Sequence, residues 1–265
     1  MPEGDFVRRV VKRLDQVLTG APLTYTLLRW PTLGGVDLTG LTVTAIDAFG
    51  KHILMHLSDA RTLRTHLRMD GTYYIEHADA GRPARDSRAQ RWTSRAVLVT
   101  NEWTVIGHRL GMADLVRTRD VRRLIGHLGP DIMADGFDPI STGEAIAAQG
   151  ERAIGATLLD QTVVAGIGTI YLAEGLFEWG VRPDRASDAV PDPAGLLQYI
   201  RELLWRSVRA RTGTATGDTR RGFTTLAHGR EHQPCRRCRT PITVCRVGTP
   251  PLDRPAFYCP QCQPD

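Results

Sequence analysis

The sequence predicts an α+β protein of more than one domain: a β-sandwich or barrel, then a helical region, then a cysteine-bearing ribbon. Three observations predict it. Short β-type runs separated by turn residues crowd residues 23–118. Helical periodicity takes over from about residue 119. Two Cys-x2-Cys pairs, Cys235/Cys238 and Cys259/Cys262, stand near the C-terminus, and their spacing suits one tetrahedral Zn²⁺ held on two tight turns. A chain of 265 residues can bury cores for two or three such domains.

The elements follow in order. Residues 5–18 place Phe6, Val10, Leu14 and Val17 on one helical face, and Gly20 and Pro22 end that helix. The β-type runs are 41–49, 52–57, 62–67, 72–75, 96–100 and 104–106, with a polar, arginine-bearing loop expected over 77–95. Ser141 and Glu144 have the spacing of a capping box for a helix through Gln149. A further helix is expected to end near Val164, followed by a Gly166-Ile167-Gly168 turn and a helix through Trp179. Residues 194–210 form an amphipathic helix with Leu197, Ile200, Leu204 and Val208 inward. The Gly-, Thr- and Arg-rich stretch 212–222 is expected to be a mobile loop, and the segment between the cysteine pairs to fold back as a hairpin.

Composition narrows the function classes. Hydrophobic residues make up 42% and charged residues 24%, as in ordinary globular proteins. No apolar run approaches a membrane span and the N-terminus carries no signal pattern, so a cytoplasmic location is expected. Reducing conditions there favour metal-bound thiolates over disulfides, and Cys245, between the pairs, is a bystander. The net charge of +5 suits an anionic partner. Arginine supplies nearly all of the positive charge; the lysines are Lys12 and Lys51.

Amine chemistry therefore has few candidates. Pro2 follows the initiator Met, whose removal would expose a secondary amine. An α-amino group titrates near pH 8, roughly two units below lysine, and in its neutral form attacks an aldehyde carbon to give an iminium. Glu3 beside it could donate or accept the proton. Lys51 reads as the tip of a two-stranded turn, placed to reach an anion. The helix–glycine turn–helix string from Leu158 to Glu174 would put a helix N-terminus at the surface, where its N–H groups bind phosphate. Arg254, just ahead of the second cysteine pair, would present a guanidinium on a metal-stiffened loop. Taken singly, each feature also fits a purely structural role.

Together these pieces, in this order and spacing, resemble the Fpg/Nei family of DNA glycosylases over essentially the whole chain, on its endonuclease VIII side. Pro2-Glu3-Gly4, Gly50-Lys51, Asp160-Gln161 through Glu174 and Asp253 through Cys262 carry the resemblance. It implies a division into an N-terminal helix plus β-sandwich (1–118), a helix–two-turn–helix domain (119–226) and a zinc finger (227–265). It further implies a monomeric, nucleoid-associated glycosylase and AP lyase, removing oxidised bases, pyrimidines foremost, from duplex, bubble or single-stranded DNA. By position, Pro2 would be the nucleophile, Glu3 the proton shuttle, Lys51 and Arg254 phosphate contacts, and Glu174 a supporting carboxylate. Gly168 and Thr169 would meet the DNA backbone, and Met69, His108, Arg109 and Leu110 would lie where the family fills the space left by an extruded base. Cys235, Cys238, Cys259 and Cys262 would bind one structural Zn²⁺. Two positions depart from the family pattern: Thr169 stands for Asn, and Phe6 stands where Glu is frequent. They motivate the alternative, a zinc-containing protein that binds damaged DNA without chemistry.

Overall fold

The computed structural model describes residues 2–210 and 212–265, which form two compact units. Pro2 with Phe6–His127 makes the first; Glu3–Asp5 with Leu128–Asp265 makes the second. Among the described residues no helix is long and apolar enough to cross a membrane.

The first unit holds most of α1 (Gly4–Leu18) and nine strands: β1 (Tyr25–Leu28), β2 (Val43–Phe49), β3 (His52–Leu57), β4 (Arg61–His66), β5 (Thr72–Asp79), β6 (Arg82–Pro83), β7 (Ser94–Val99), β8 (Trp103–His108) and β9 (Met112–Arg117). They pair antiparallel as two sheets, β1-β7-β8-β5-β6 and β2-β3-β4-β9. Inward residues of both sheets, among them Met55, Leu63, Tyr73 and Leu98, share one core with α1, as in a sandwich. The buried stripe of α1 is Val7, Val10, Leu14 and Leu18, and Phe6 and Val17 flank it half-buried.

The expected loop over 77–95 is more ordered than its polarity suggested. Strand β5 continues to Asp79, and Ser87 caps a short 3₁₀ turn at Arg88–Gln90. Ala89 closes a second small core with Val97, Val99 and Ile106 on the outer face of the five-stranded sheet. Tyr25–Leu28 and Met112–Arg117, strands the sequence pattern did not single out, complete the two sheets. A two-residue turn, Gly50-Lys51, joins β2 to β3. Gly50 sits at a φ of 55°, which a first turn residue needs and glycine adopts freely. A four-residue helix, α2 (Arg122–Ile125), ends the unit.

The second unit packs α3 (Pro139–Ala147), α4 (Ile154–Leu159), α5 (Thr169–Trp179) and α6 (Pro193–Arg209) around Leu158, Leu172, Leu176, Ile200 and Leu204. The cap of α3 is Asp138, not Ser141: its carboxylate accepts from the Ile140 and Ser141 N–H groups, 2.9 and 3.4 Å, and Pro139 fills the first turn. Helix α4 stops at Leu159 rather than near Val164, because Asp160 bonds the amide and hydroxyl of Thr162 at 3.0 and 2.7 Å and turns the chain. The 212–222 stretch is tied down rather than loose. Thr214 is buried, donates to the Asp218 carbonyl at 2.7 Å and takes its own N–H to Ser207 at 3.3 Å. Strands β10 (Thr243–Val247) and β11 (Arg254–Tyr258) make the expected hairpin between the cysteine pairs.

Candidate active site

Glu3 is the best-held residue near the terminus. Its buried carboxylate accepts from the N–H groups of Gly168 (2.9 Å), Ile170 (2.8 Å) and Tyr171 (3.4 Å), the first turn of α5. Those amides carry the positive end of the helix dipole and suit an anion. The anion they take is internal. This corrects the expectation that the α5 N-terminus offers its first amides to a phosphate. Gly4 N–H bonds the Gly166 carbonyl at 3.0 Å, and Asp5 accepts from the Ser207 hydroxyl of α6 at 2.6 Å, so three consecutive residues are anchored. Pro2, half-buried, is the next residue out. Met1, whose removal would free its nitrogen, lies outside the described residues.

The glycine turn exists to admit that carboxylate. A Cβ at Gly168 would lie 2.3 Å from Glu3 Cδ, and Gly166 holds a φ of 108°. Gln161 pins the same turn: its amide donates to the Leu159 and Ile167 carbonyls at 2.9 and 3.0 Å, and its oxygen accepts from Gly166 N–H at 3.0 Å. We expect Gly168→Ala to displace Glu3 and cost about 1–3 kcal/mol of stability. Calorimetry reads the lowered Tm; an unchanged Tm would mean that the carboxylate sits elsewhere.

Glu174 is held on the other side of α5's first turns by the segment that enters the ribbon. Its buried carboxylate accepts from Leu226, Ala227 and His228 N–H at 2.6, 2.9 and 2.8 Å. Burial raises its pKa, and the three amides oppose that shift. It therefore ties α5 to the segment entering the ribbon. From that segment His228 reaches Thr169 Oγ1 at 3.4 Å and meets the Phe257 ring of β11 edge-on at 5.0 Å. Thr169 thus stands near the strand that begins with Arg254. Arg254 itself is exposed; Asp253 beside it pairs instead with Arg246.

The four thiols of Cys235, Cys238, Cys259 and Cys262 lie within 4.8 Å of one another. Tetrahedral Zn–S bonds of about 2.3 Å require sulfur–sulfur edges of about 3.8 Å. The separations of 3.4, 3.5 and 3.9 Å among them fit that edge, so the cluster is consistent with one structural Zn²⁺. Cys245 stays out of it, with burial raising its thiol pKa to about 11.

In the first unit, Lys51 stands above a buried polar cluster that sequence reasoning missed. His52 and His66, register partners on β3 and β4, meet at 4.8 Å. Burial lowers their pKa values to about 3 and about 4; His66 and Arg64 add to the effect on His52, Lys51 and Arg68 to that on His66. Arg64 donates to His52 Nδ1 at 3.3 Å and pairs with Asp114, while Arg68 N–H donates to His66 Nδ1 at 2.9 Å. Period-2 alternation across β3, β4 and β9 could have revealed this polar face.

Two loops on the same unit carry the void-filling candidates. Met69, in the β4–β5 turn, is 63% exposed. His108 ends β8, and Arg109 is exposed at a φ of 48°. The loops touch: Gly111 N–H bonds the His66 carbonyl at 2.9 Å, and Arg68 packs where a Gly111 Cβ would be. Leu110 departs from expectation. It is 4% exposed and belongs to the sandwich core, packed over Gly107. A leucine buried there gains more than one left in water.

The chain resembles known proteins in sequence and in fold. Residues 1–126 match the formamidopyrimidine-DNA glycosylase N-terminal domain and residues 128–218 the formamidopyrimidine-DNA glycosylase H2TH domain. The chain is 36% identical to a probable endonuclease 8 2 of Streptomyces coelicolor, covering 99% of this chain and 94% of that one. It is 34% identical to a DNA-(apurinic or apyrimidinic site) lyase, Nei2, of Mycolicibacterium smegmatis, covering 99% of each. The fold matches the crystal structure of Lactococcus lactis formamidopyrimidine-DNA glycosylase with abasic-site DNA over the full length of both chains, at a TM-score of 0.82 and 24% identity. Two matched domains spanning most of the sequence, with full-length relatives above 30% identity, show that the chain belongs to the Fpg/Nei family of DNA glycosylases.

Proposed function

We propose that the protein is a bifunctional DNA glycosylase and AP lyase of base excision repair, removing oxidised bases, pyrimidines foremost. The observation that carries this reading is Glu3, seated on the first turn of α5 with Pro2 as its direct neighbour. Such a seat holds the terminal nitrogen one residue from a buried carboxylate.

In the proposed reaction the Pro2 nitrogen attacks C1′ of an extruded nucleotide. The C1′–base bond breaks, and the base leaves with that electron pair and a proton. Glu3 takes the proton released by the attacking nitrogen and passes it to the ring oxygen as the sugar opens, giving an iminium between Pro2 and C1′. The iminium draws electrons from C2′, so that carbon loses a proton and the 3′ phosphate departs. A second elimination would release the 5′ phosphate, and water would return the amine. Extrusion costs a few kcal/mol, less where damage weakens stacking or pairing. Lys51 and Arg254 are assigned to phosphates, Thr169 to the backbone near the site, and Met69 to the vacated space with His108 and Arg109; the Gly168 amide is already held by Glu3. Leu110 could join only by leaving its core.

In this reading 1–118 is catalytic, 119–226 helical and 227–265 the zinc finger, and the protein acts as a cytoplasmic, nucleoid-associated monomer. The binder alternative draws on Thr169 and Phe6. Thr169 meets His228, and Phe6 packs against the sandwich core, so both have structural employment that leaves Pro2 and Glu3 in place. The enzyme reading is favoured.

The test is borohydride reduction on DNA bearing an abasic site, followed by mass spectrometry of the cross-linked peptide. The expected adduct maps to Pro2. Its absence, or its appearance on Lys12 or Lys51, would overturn the assignment.

A further inference from the structure

The loop joining β6 to β7 carries a feature with no part in the proposed reaction. Trp92 is 77% exposed, and with Met69 it makes up the exposed large apolar side chains among the described residues of the first unit. Leaving an indole in water forgoes a large burial gain, and Trp is enriched at interfaces.

Its position is defined. Thr93, the next residue, accepts from Arg109 N–H at 2.8 Å, and Ser94 pairs with His108 in the sheet. Trp92 therefore adjoins the 108–111 loop on one side, and Met69, through Arg68 and Gly111, adjoins it on the other. The loop is also stiff. Arg29 donates to the carbonyls of Ala89, Arg91 and Ser94 at 2.9, 3.1 and 3.2 Å. Ser94 Oγ donates to the Arg88 carbonyl at 2.7 Å, and Glu76 holds both Ser87 and Arg88. A side chain presented from such a loop loses little freedom on binding.

Charge says what the partner is. Arg68, Arg91 and Arg109 are exposed around this rim, as is Arg88, whose charge is paired with Glu76. His108 registers them: burial lowers its pKa, and the charges of Arg109, Arg91 and Arg88 lower it further. Tyr74 lies beside His108 at 5.6 Å with the Arg88 guanidinium over its ring at 4.7 Å. A flat aromatic surface amid guanidinium groups is the chemistry that receives a nucleobase with its phosphates.

We propose that Trp92 is a stacking platform for a base unstacked beside the lesion, working from the opposite side of the 108–111 loop to Met69. The inference rests on the glycosylase reading, because a base is free to stack on the indole only where the duplex is opened.

The test compares full-length, zinc-loaded wild type with Trp92→Ala and Trp92→Phe. Fluorescence anisotropy measures affinity for a duplex with a reduced abasic-site analogue and for an intact duplex. Trp92→Ala should bind the abasic duplex about tenfold more weakly, consistent with base–aromatic stacking energies, and change intact-duplex affinity less than about twofold. Trp92→Phe should recover most of the loss, since a ring remains. Unchanged abasic-duplex affinity in Trp92→Ala, an equal loss on both duplexes, or no recovery with Phe would each overturn the platform. Borohydride trapping on the same proteins separates the two ideas. Normal adducts with unchanged affinity sink the platform alone, whereas no adduct from wild type sinks the reaction.

Discussion

A chain carrying one extra residue before Pro2 is expected to lose strand cleavage and borohydride trapping by at least about 10³-fold while keeping its Tm. The reason is electronic. A free terminal nitrogen owns a lone pair, whereas an acylated one shares that pair with a carbonyl and cannot attack carbon. The expected rescue is equally specific: proteolytic removal of the extra residue should restore trapping. Because Glu3, Gly4 and Asp5 are each bonded within the second unit, the extension should leave the fold intact. Single-turnover cleavage of abasic DNA gives the rate, and calorimetry gives the fold. Full activity from the extended chain would move the nucleophile away from Pro2. Lys12 and Lys51 would then be the amines to examine.

Zinc removal should have the second large effect. Metal binding in small structural sites is worth about 10–16 kcal/mol near pH 7, and the ribbon has little apolar core to replace it. Phe177, Ala227 and Ile242 are the buried residues that join Cys235 and Cys259 there. A chelator should therefore release one metal ion per chain and melt β10 and β11. The loss should not stop at the ribbon. Gln263 donates to the Val181 carbonyl at 2.6 Å and accepts from Cys259 N–H at 2.9 Å, while Arg237 pairs with Glu178 of α5. Glu174 would lose its ordered amides at 226–228 as well. The expected readouts are a lower Tm, protease cleavage between residues 230 and 265, and weaker DNA binding. A chelated protein with native Tm and native affinity would mean that the thiols hold no structural metal.

The elements most legible in sequence were those with a strong local pattern. Residues 52–57 form a strand where their β-type run puts it, and the four cysteines announce their cluster by spacing alone. Helix ends were harder. Asp138 displaced Ser141 as a cap because the helix begins three residues earlier, with Pro139 in its first turn and the Ile140 and Ser141 amides on the Asp138 carboxylate. The stretch 212–222 looked loose by composition, yet Thr214 turns inward to meet Ser207 and Asp218, partners that composition cannot name.

The sequence by itself determined the family-bearing motifs, the metal ligands and the order of sheet, helices and ribbon, because each is written in residues close together along the chain. What only the tertiary structure decided is where carboxylates spend their hydrogen bonds. Glu3 finds its amides 165 residues or more away, Glu174 finds its own at 226–228, Leu110 sinks into the core and Trp92 stays outside it. Burial and desolvation depend on everything that packs around a side chain, and no local pattern carries that sum.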